Sequence, residues 1–166
     1  MLPYHEIQIE DYDEPELQEI LKSDRTKWIE YFGWSMAFVP PKILQKDKFF
    51  NWLYKELPYM AGVLKFPKNT CYNWHTDSLR GGCINMALGP QGKSHCLFAP
   101  DGTGVTHKFV ELKYKPGRRY LFNNQIPHTV INFDQDRYVF TIEFLEDKSK
   151  LNYQDLLNLI KNQTDA

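Results

Sequence analysis

A mainly β fold, an eight-stranded jelly roll with helices at both flanks, is what this sequence predicts, on three observations. Between residues 60 and 145 the apolar residues fall in short stretches of strand length rather than at helical intervals. Turn chemistry separates these stretches, at Phe66-Pro67-Lys68-Asn69, Gly89-Pro90-Gln91-Gly92, Pro100-Asp101-Gly102, Lys115-Pro116-Gly117 and Asp134-Gln135-Asp136. Aromatic residues make up 15% of the chain, a ring content suited to the space between two sheets.

About eight strands are expected, near 60–66, 70–76, 82–88, 94–98, 107–113, 119–122, 128–132 and 137–145. Eight short strands at such spacing suggest a closed or two-sheet architecture. The first third has helical periodicity instead. Glu14-Pro15-Glu16 sets a proline and acids at a helix start, followed by Leu17, Ile20 and Leu21 on one face. A strand is expected over 34–39, ended by Pro40-Pro41. Asp47 can cap a second helix, in which Phe49, Phe50, Leu53 and Leu57 form an apolar face stopped by Pro58. Near the end, Tyr153, Leu156, Leu157 and Ile160 recur at helical spacing, with a sheet or a second subunit to pack on. A length of 166 residues suits one domain, with a β core at about 60–145, N-terminal helical support over 1–59 and a C-terminal helix over 151–163.

Charge excludes some functions. Lys plus Arg (20) nearly balances Asp plus Glu (21), for a net charge of -1, so no long-range field draws in nucleic acid or an anionic membrane. Cys71, Cys83 and Cys96 lack the paired spacing of a zinc knuckle, and no apolar stretch resembles a signal peptide or a membrane span. The expected location is the cytoplasm.

The chemical content begins in Asn73-Trp74-His75-Thr76-Asp77. In an extended strand, residues two apart point to the same face, so His75 and Asp77 can present an imidazole and a carboxylate side by side. The pair is short and common by chance, and gains meaning from His128 in Ile126-Pro127-His128-Thr129-Val130, where a later strand should start. Two imidazoles and one carboxylate on one face of an octahedral ion leave the opposite face open, as in the iron(II) facial triad. Zinc is the competing occupant, because the same donors serve catalytic zinc. Arg137 lies nine residues after His128. If the two strands pair as a hairpin, its guanidinium is one strand away and can hold a carboxylate bidentately.

The order His75-Thr76-Asp77, then His128, then Arg137, within an eight-strand pattern, resembles the iron(II)/2-oxoglutarate-dependent dioxygenases of the double-stranded β-helix (cupin-like) fold. The segments LFNNQIPH (121–128) and RYVFTIEF (137–144) look most like small stand-alone members near the aspartyl/asparaginyl and prolyl hydroxylase groups. The resemblance covers roughly 60–145. It implies His75, Asp77 and His128 as catalytic iron ligands, and Arg137 on the distal carboxylate of 2-oxoglutarate. The reaction implied is oxidative decarboxylation of 2-oxoglutarate to succinate and CO2 with O2, coupled to hydroxylation of a C–H bond, with ascorbate as a candidate reductant. The chain departs from both groups. The former usually lacks the aspartate ligand present here as Asp77, and the latter uses lysine where this chain has Arg137.

Asn85 and Arg80 are further candidates for touching cosubstrate or substrate. Trp74 is expected to point away from His75, into a core. His5, His95 and His107 have no partner at metal-ligand spacing and read as structural or surface residues, and Cys83 and Cys96 as core filling. Two alternatives to a 2-oxoglutarate oxygenase are a metal-binding cupin enzyme that does not use it and a non-catalytic binding module on the same fold. The run from His128 to Asn132 resembles the second cupin motif, whereas the first would want His-x-His. A nucleic-acid demethylase would be expected to carry a second arginine where Glu143 stands. Substrates compatible with the pattern are an amino acid, a peptide or protein, or a small molecule, acted on by a monomer or homodimer.

Overall fold

A computed structural model describes residues 2–12 and 15–164. Among the described residues, eleven strands and four helices follow one another as β1 (Tyr4–Glu6), α1 (Pro15–Lys22), β2 (Ile29–Glu30), β3 (Ser35–Phe38), α2 (Pro41–Leu44), α3 (Lys48–Glu56), β4 (Tyr59–Phe66), β5 (Thr70–His75), β6 (Gly82–Leu88), β7 (Ser94–Phe98), β8 (Val110–Glu111), β9 (Tyr120–Asn123), β10 (His128–Asn132), β11 (Arg137–Phe144) and α4 (Tyr153–Thr164). The eight expected core strands are β4 to β11. The expected strand over 107–113 is reduced to β8, and Glu14 of the expected first helix start lies outside the described residues.

Two antiparallel sheets face each other as a jelly roll. The larger runs β1-β9-β6-β11-β4-β3-β2 and the smaller β5-β10-β7-β8. The N-terminal third therefore supplies three sheet strands as well as helices: β1 pairs with β9, and β3 extends β4. Strand periodicity sorts the side chains of β11 cleanly. Phe140, Ile142 and Phe144 enter a core shared with the helices, while Arg137, Val139, Thr141 and Glu143 face the space between the sheets. A sheet with both faces covered explains why every residue of β6 is buried.

The outer core joins the sheet to Leu17 of α1, Phe49, Phe50 and Leu53 of α3, and Tyr153, Leu156 and Ile160 of α4. The apolar face of α4 thus packs on this chain's own sheet, one of the two partners expected for it. Gly81 makes the approach to α4 possible, because a Cβ there would lie 2.4 Å from the Leu151 carbonyl oxygen. Asp47 accepts from the Phe50 amide at 2.9 Å, the expected cap, and its other oxygen pairs at 2.8 Å with Arg119. That guanidinium is 2% exposed and lies over the rings of Tyr12, Phe49 and Phe50.

The inner core, between the sheets, contains Phe66, Cys83, Cys96, Phe98, Phe122 and Val130. Cys83 and Cys96 fill core volume as expected. Trp74 is instead only half-buried, with its ring edge-on to His107 at 4.9 Å. Among the described residues no helix is long and apolar enough to cross a membrane.

Candidate metal centre

Antiparallel pairing of β5 with β10 sets His128 directly opposite His75, and the register shifts just beyond, between His128 and Val130. A ladder irregularity of this kind re-aims a side chain. The imidazole centroids are 4.3 Å apart. His75 Nδ1 lies 2.7 Å from the Asn73 carbonyl oxygen, and His128 Nδ1 2.9 Å from that of Ile126. A carbonyl can only accept, so each Nδ1 carries the proton and each Nε2 keeps a lone pair for a metal.

Strand β5 ends at His75, so Asp77 does not share a strand face with it as expected; a loop delivers the carboxylate. Hydrogen bonds from the 124–125 segment hold that loop. The Asp77 amide donates to the Asn124 carbonyl at 3.0 Å, Asn124 Nδ2 donates to Asp77 Oδ2 at 2.5 Å, and Gln125 Nε2 donates to the carbonyls of Asp77 and Arg80. Arg80 Nη2 adds an ion pair to Asp77 Oδ2 at 2.9 Å and reaches Glu143 with Nη1 at 3.7 Å. As a result Asp77 Oδ1 stands 3.9 Å from His75 Nε2, and the ligand atoms of His75, Asp77 and His128 all lie within 4.8 Å of one another. Burial pushes the His128 pKa down to about 4, with like charge at His75 adding to the effect and the Ile126 carbonyl opposing it. The ring is neutral, and so able to ligate, throughout the physiological range.

These three residues line a cavity of about 360 Å³ whose opposite wall is the inner face of β11 and β4. Arg137 lies in that wall. The expected β10–β11 hairpin does not form: β10 pairs with β5 and β7, whereas β11 pairs with β4 and β6. The 133–136 turn instead carries the chain from one sheet to the other, braced by Asn132, whose Nδ2 donates to the carbonyls of Phe66, Pro67 and Gln135. Arg137 and His128 consequently line one cavity from opposite sheets. The guanidinium is 2% exposed, donates through Nε to Gln91 Oε1 at 2.9 Å and lies 5.2 Å from the Tyr114 ring centre. Its Nη1 is buried without a hydrogen-bond partner. A charged N–H shut away from water and unmatched is costly unless an acceptor comes to it.

The expected candidates Asn85 and Arg80 also line this cavity. Asn85 Oδ1 accepts from Cys83 Sγ at 3.5 Å, and Arg80 is engaged by Asp77 and Glu143. His95 pairs instead with Glu111 at 2.7 Å, His107 Nδ1 faces the Gly104 carbonyl, and His5 sits on β1 opposite Leu121. Sequence inspection missed Asn124, Gln125, Gln91 and Tyr114. Asn124 and Gln125 lie inside the 121–128 segment, but no spacing marks a residue that works by reaching a loop far away in the chain.

The donor set suits iron(II) with open positions, and equally a catalytic zinc; the bare guanidinium N–H in the same cavity suits a carboxylate. Solved structures have the same architecture. A 2OG-Fe(II) oxygenase family oxidoreductase from Burkholderia pseudomallei aligns over 78% of this chain and 76% of its own, at 11% identity and a TM-score of 0.60. The fold is shared with 2OG-Fe(II) oxygenases. A Pseudomonas putida prolyl-4-hydroxylase aligns over 87% of this chain and 92% of its own, with 11% identity and a TM-score of 0.63. A prolyl hydroxylase from Trichoplax adhaerens, solved with a hypoxia inducible factor oxygen degradation domain peptide, aligns over 85% and 79%, with 17% identity and a TM-score of 0.61. No family model and no curated protein matches the chain.

Proposed function

We propose that the protein is a non-haem iron(II)- and 2-oxoglutarate-dependent dioxygenase that hydroxylates a C–H bond of an amino-acid, peptide or small-molecule substrate. His75, Asp77 and His128 would hold the iron and Arg137 the distal carboxylate of 2-oxoglutarate. The observation that carries this reading is the coincidence, in one cavity, of two imidazoles with free Nε2 atoms and a buried guanidinium N–H that lacks an acceptor. Bound iron supplies the activation of O2 and the keto-acid decarboxylation that releases succinate and CO2.

The chain's own residues do the rest. Backbone carbonyls at Asn73 and Ile126 fix both imidazole tautomers, and Asn124 with Arg80 orients the Asp77 carboxylate beside them. Arg137 offers its fork to one end of a dicarboxylate, so that the keto-acid end faces the metal ligands. Trp34, Met36, Phe38, Met60 and Tyr72 make much of the remaining wall apolar, which suits an uncharged reacting group. Glu143 stands where a nucleic-acid demethylase would be expected to place a second arginine, which supports a substrate other than nucleic acid. The peptide bound by the Trichoplax enzyme supports testing peptides first.

Anaerobic addition of iron(II) and 2-oxoglutarate should produce the visible charge-transfer band of a metal-chelated keto acid. A folded protein with a flat spectrum would sink the cosubstrate assignment. With that band established, substrates are ranked by stimulated succinate release.

A further inference from the structure

We propose that Gln91 is the positioning residue that makes Arg137 a carboxylate receptor, by orienting the guanidinium without neutralising it; this rests on the oxygenase reading above. The hydrogen bonds of Gln91 admit one orientation of its amide. Nε2 lies 3.2 Å from the Gly89 carbonyl oxygen and 3.5 Å from that of Tyr138, both acceptors, while Oε1 takes the Arg137 Nε–H at 2.9 Å. Flipping the amide would aim N–H at N–H.

The support is rigid. The 89–92 turn has left-handed glycines at each end, Gly89 at φ 74 and Gly92 at φ 56, and Gln135 Nε2 donates to the Pro90 carbonyl at 2.9 Å. Gln135 belongs to the turn that delivers Arg137, so both partners are fixed to one another from two sides. With Nε engaged and the Tyr114 ring nearby, the guanidinium plane is set, and Nη1, which has no partner, is left for a ligand. A glutamate at 91 could accept from Nε equally well, but its charge would cancel that of Arg137 and compete with the incoming carboxylate. A neutral amide orients and leaves the charge available.

The test compares wild-type protein with Gln91→Ala and Gln91→Glu in the manganese(II) form, titrated with 2-oxoglutarate and with pyruvate, a keto acid lacking the distal carboxylate. Loss of the orienting bond in Gln91→Ala should weaken 2-oxoglutarate binding about tenfold. Gln91→Glu should weaken it by more, about thirtyfold or above, because the receptor charge is also cancelled. Pyruvate and manganese affinities should stay within twofold of wild type in both, a selectivity that general loosening of the fold would not produce. An NMR readout free of any ligand accompanies it: the Arg137 Nε–H should exchange slowly with solvent in wild-type protein and rapidly in Gln91→Ala. Should Gln91→Ala fail to fold, Gln91→Glu, which gains an ion pair, decides the matter. Unchanged 2-oxoglutarate affinity in a folded variant, or equal loss of pyruvate, overturns the role of Gln91. Wild-type protein that binds manganese but not 2-oxoglutarate overturns the cosubstrate assignment and this role with it.

Discussion

Replacing Arg137 with methionine should stabilise the ligand-free protein and remove its response to 2-oxoglutarate, two effects of opposite sign from one substitution. The guanidinium is 2% exposed, its hydrogen-bond partner is the neutral Gln91, and Nη1 has none. Replacing a buried charge by an apolar side chain of similar length is often neutral or stabilising by about 1–4 kcal/mol. Leaving Gln91 Oε1 without its donor offsets roughly 1–2 kcal/mol of that. The net expectation is about 1 kcal/mol, a rise in Tm of roughly 2–4 °C for a domain of this size. Ligand response moves the other way. At 2-oxoglutarate near one hundred times its Kd, wild-type protein gains about 2.7 kcal/mol, or roughly 5–11 °C. Removing one partner of a desolvated ion pair weakens binding by about 2–5 kcal/mol. Even at a hundredfold loss of affinity, the same concentration would stabilise the variant by only about 0.4 kcal/mol, near 1 °C. Differential scanning calorimetry with manganese(II), with and without 2-oxoglutarate, reads both quantities. A variant that unfolds several degrees below wild type yet retains the full ligand shift would refute the role given to this arginine.

Three further outcomes follow from the geometry. His128→Ala should remove stoichiometric iron(II) binding and succinate formation together, by equilibrium dialysis and a coupled assay; uncoupled turnover persisting in the variant would move the metal elsewhere. His128 has a folded pKa of about 4 against an unfolded value of roughly 6.5, so the unfolded metal-free chain binds the extra proton first. The stabilising contribution is therefore complete above about pH 6.5 and lost as pH falls toward 4, amounting to about 3 kcal/mol, and urea titrations across that window should show a slope that His128→Gln flattens. Asp47→Ala removes a helix cap worth about 1 kcal/mol and strands the Arg119 charge among three rings, for a combined loss of about 4 kcal/mol. Asp47→Asn should keep the cap and lose the larger share, the charge pairing with Arg119; equal stability of Asp47→Ala and wild type in guanidinium melts would refute the pairing.

Local chemistry was enough to place most elements. Proline and glycine turns between stretches of strand length marked β4 to β11, with only the 107–113 segment much overestimated, because it pairs with β7 at two positions alone, Val110 and Glu111. Asp47 followed by Phe49, Phe50 and Leu53 announced α3 and its cap, both of which depend on neighbours three or four residues away. By contrast β1 and β2 are three and two residues long and owe their strand form to partners elsewhere in the chain, Tyr120–Asn123 for one and Ser35–Phe38 for the other. Nothing in so short a run announces such a partner.

For the site, sequence alone determined the chemical types: two imidazoles, a carboxylate and a guanidinium, in an order and spacing that named His75, Asp77, His128 and Arg137. How they come together was decided only by the tertiary structure. The hairpin expected between β10 and β11 is replaced by a crossover between sheets, so the arginine faces the two imidazoles and the carboxylate across a cavity rather than along a ladder. Asp77 reaches its place on a loop tied down by Asn124, forty-seven residues away. Periodicity and turn residues act over a few neighbours and can be read in one dimension; which sheet a strand joins is set by burial of both its faces, a property of the whole fold that no local pattern encodes.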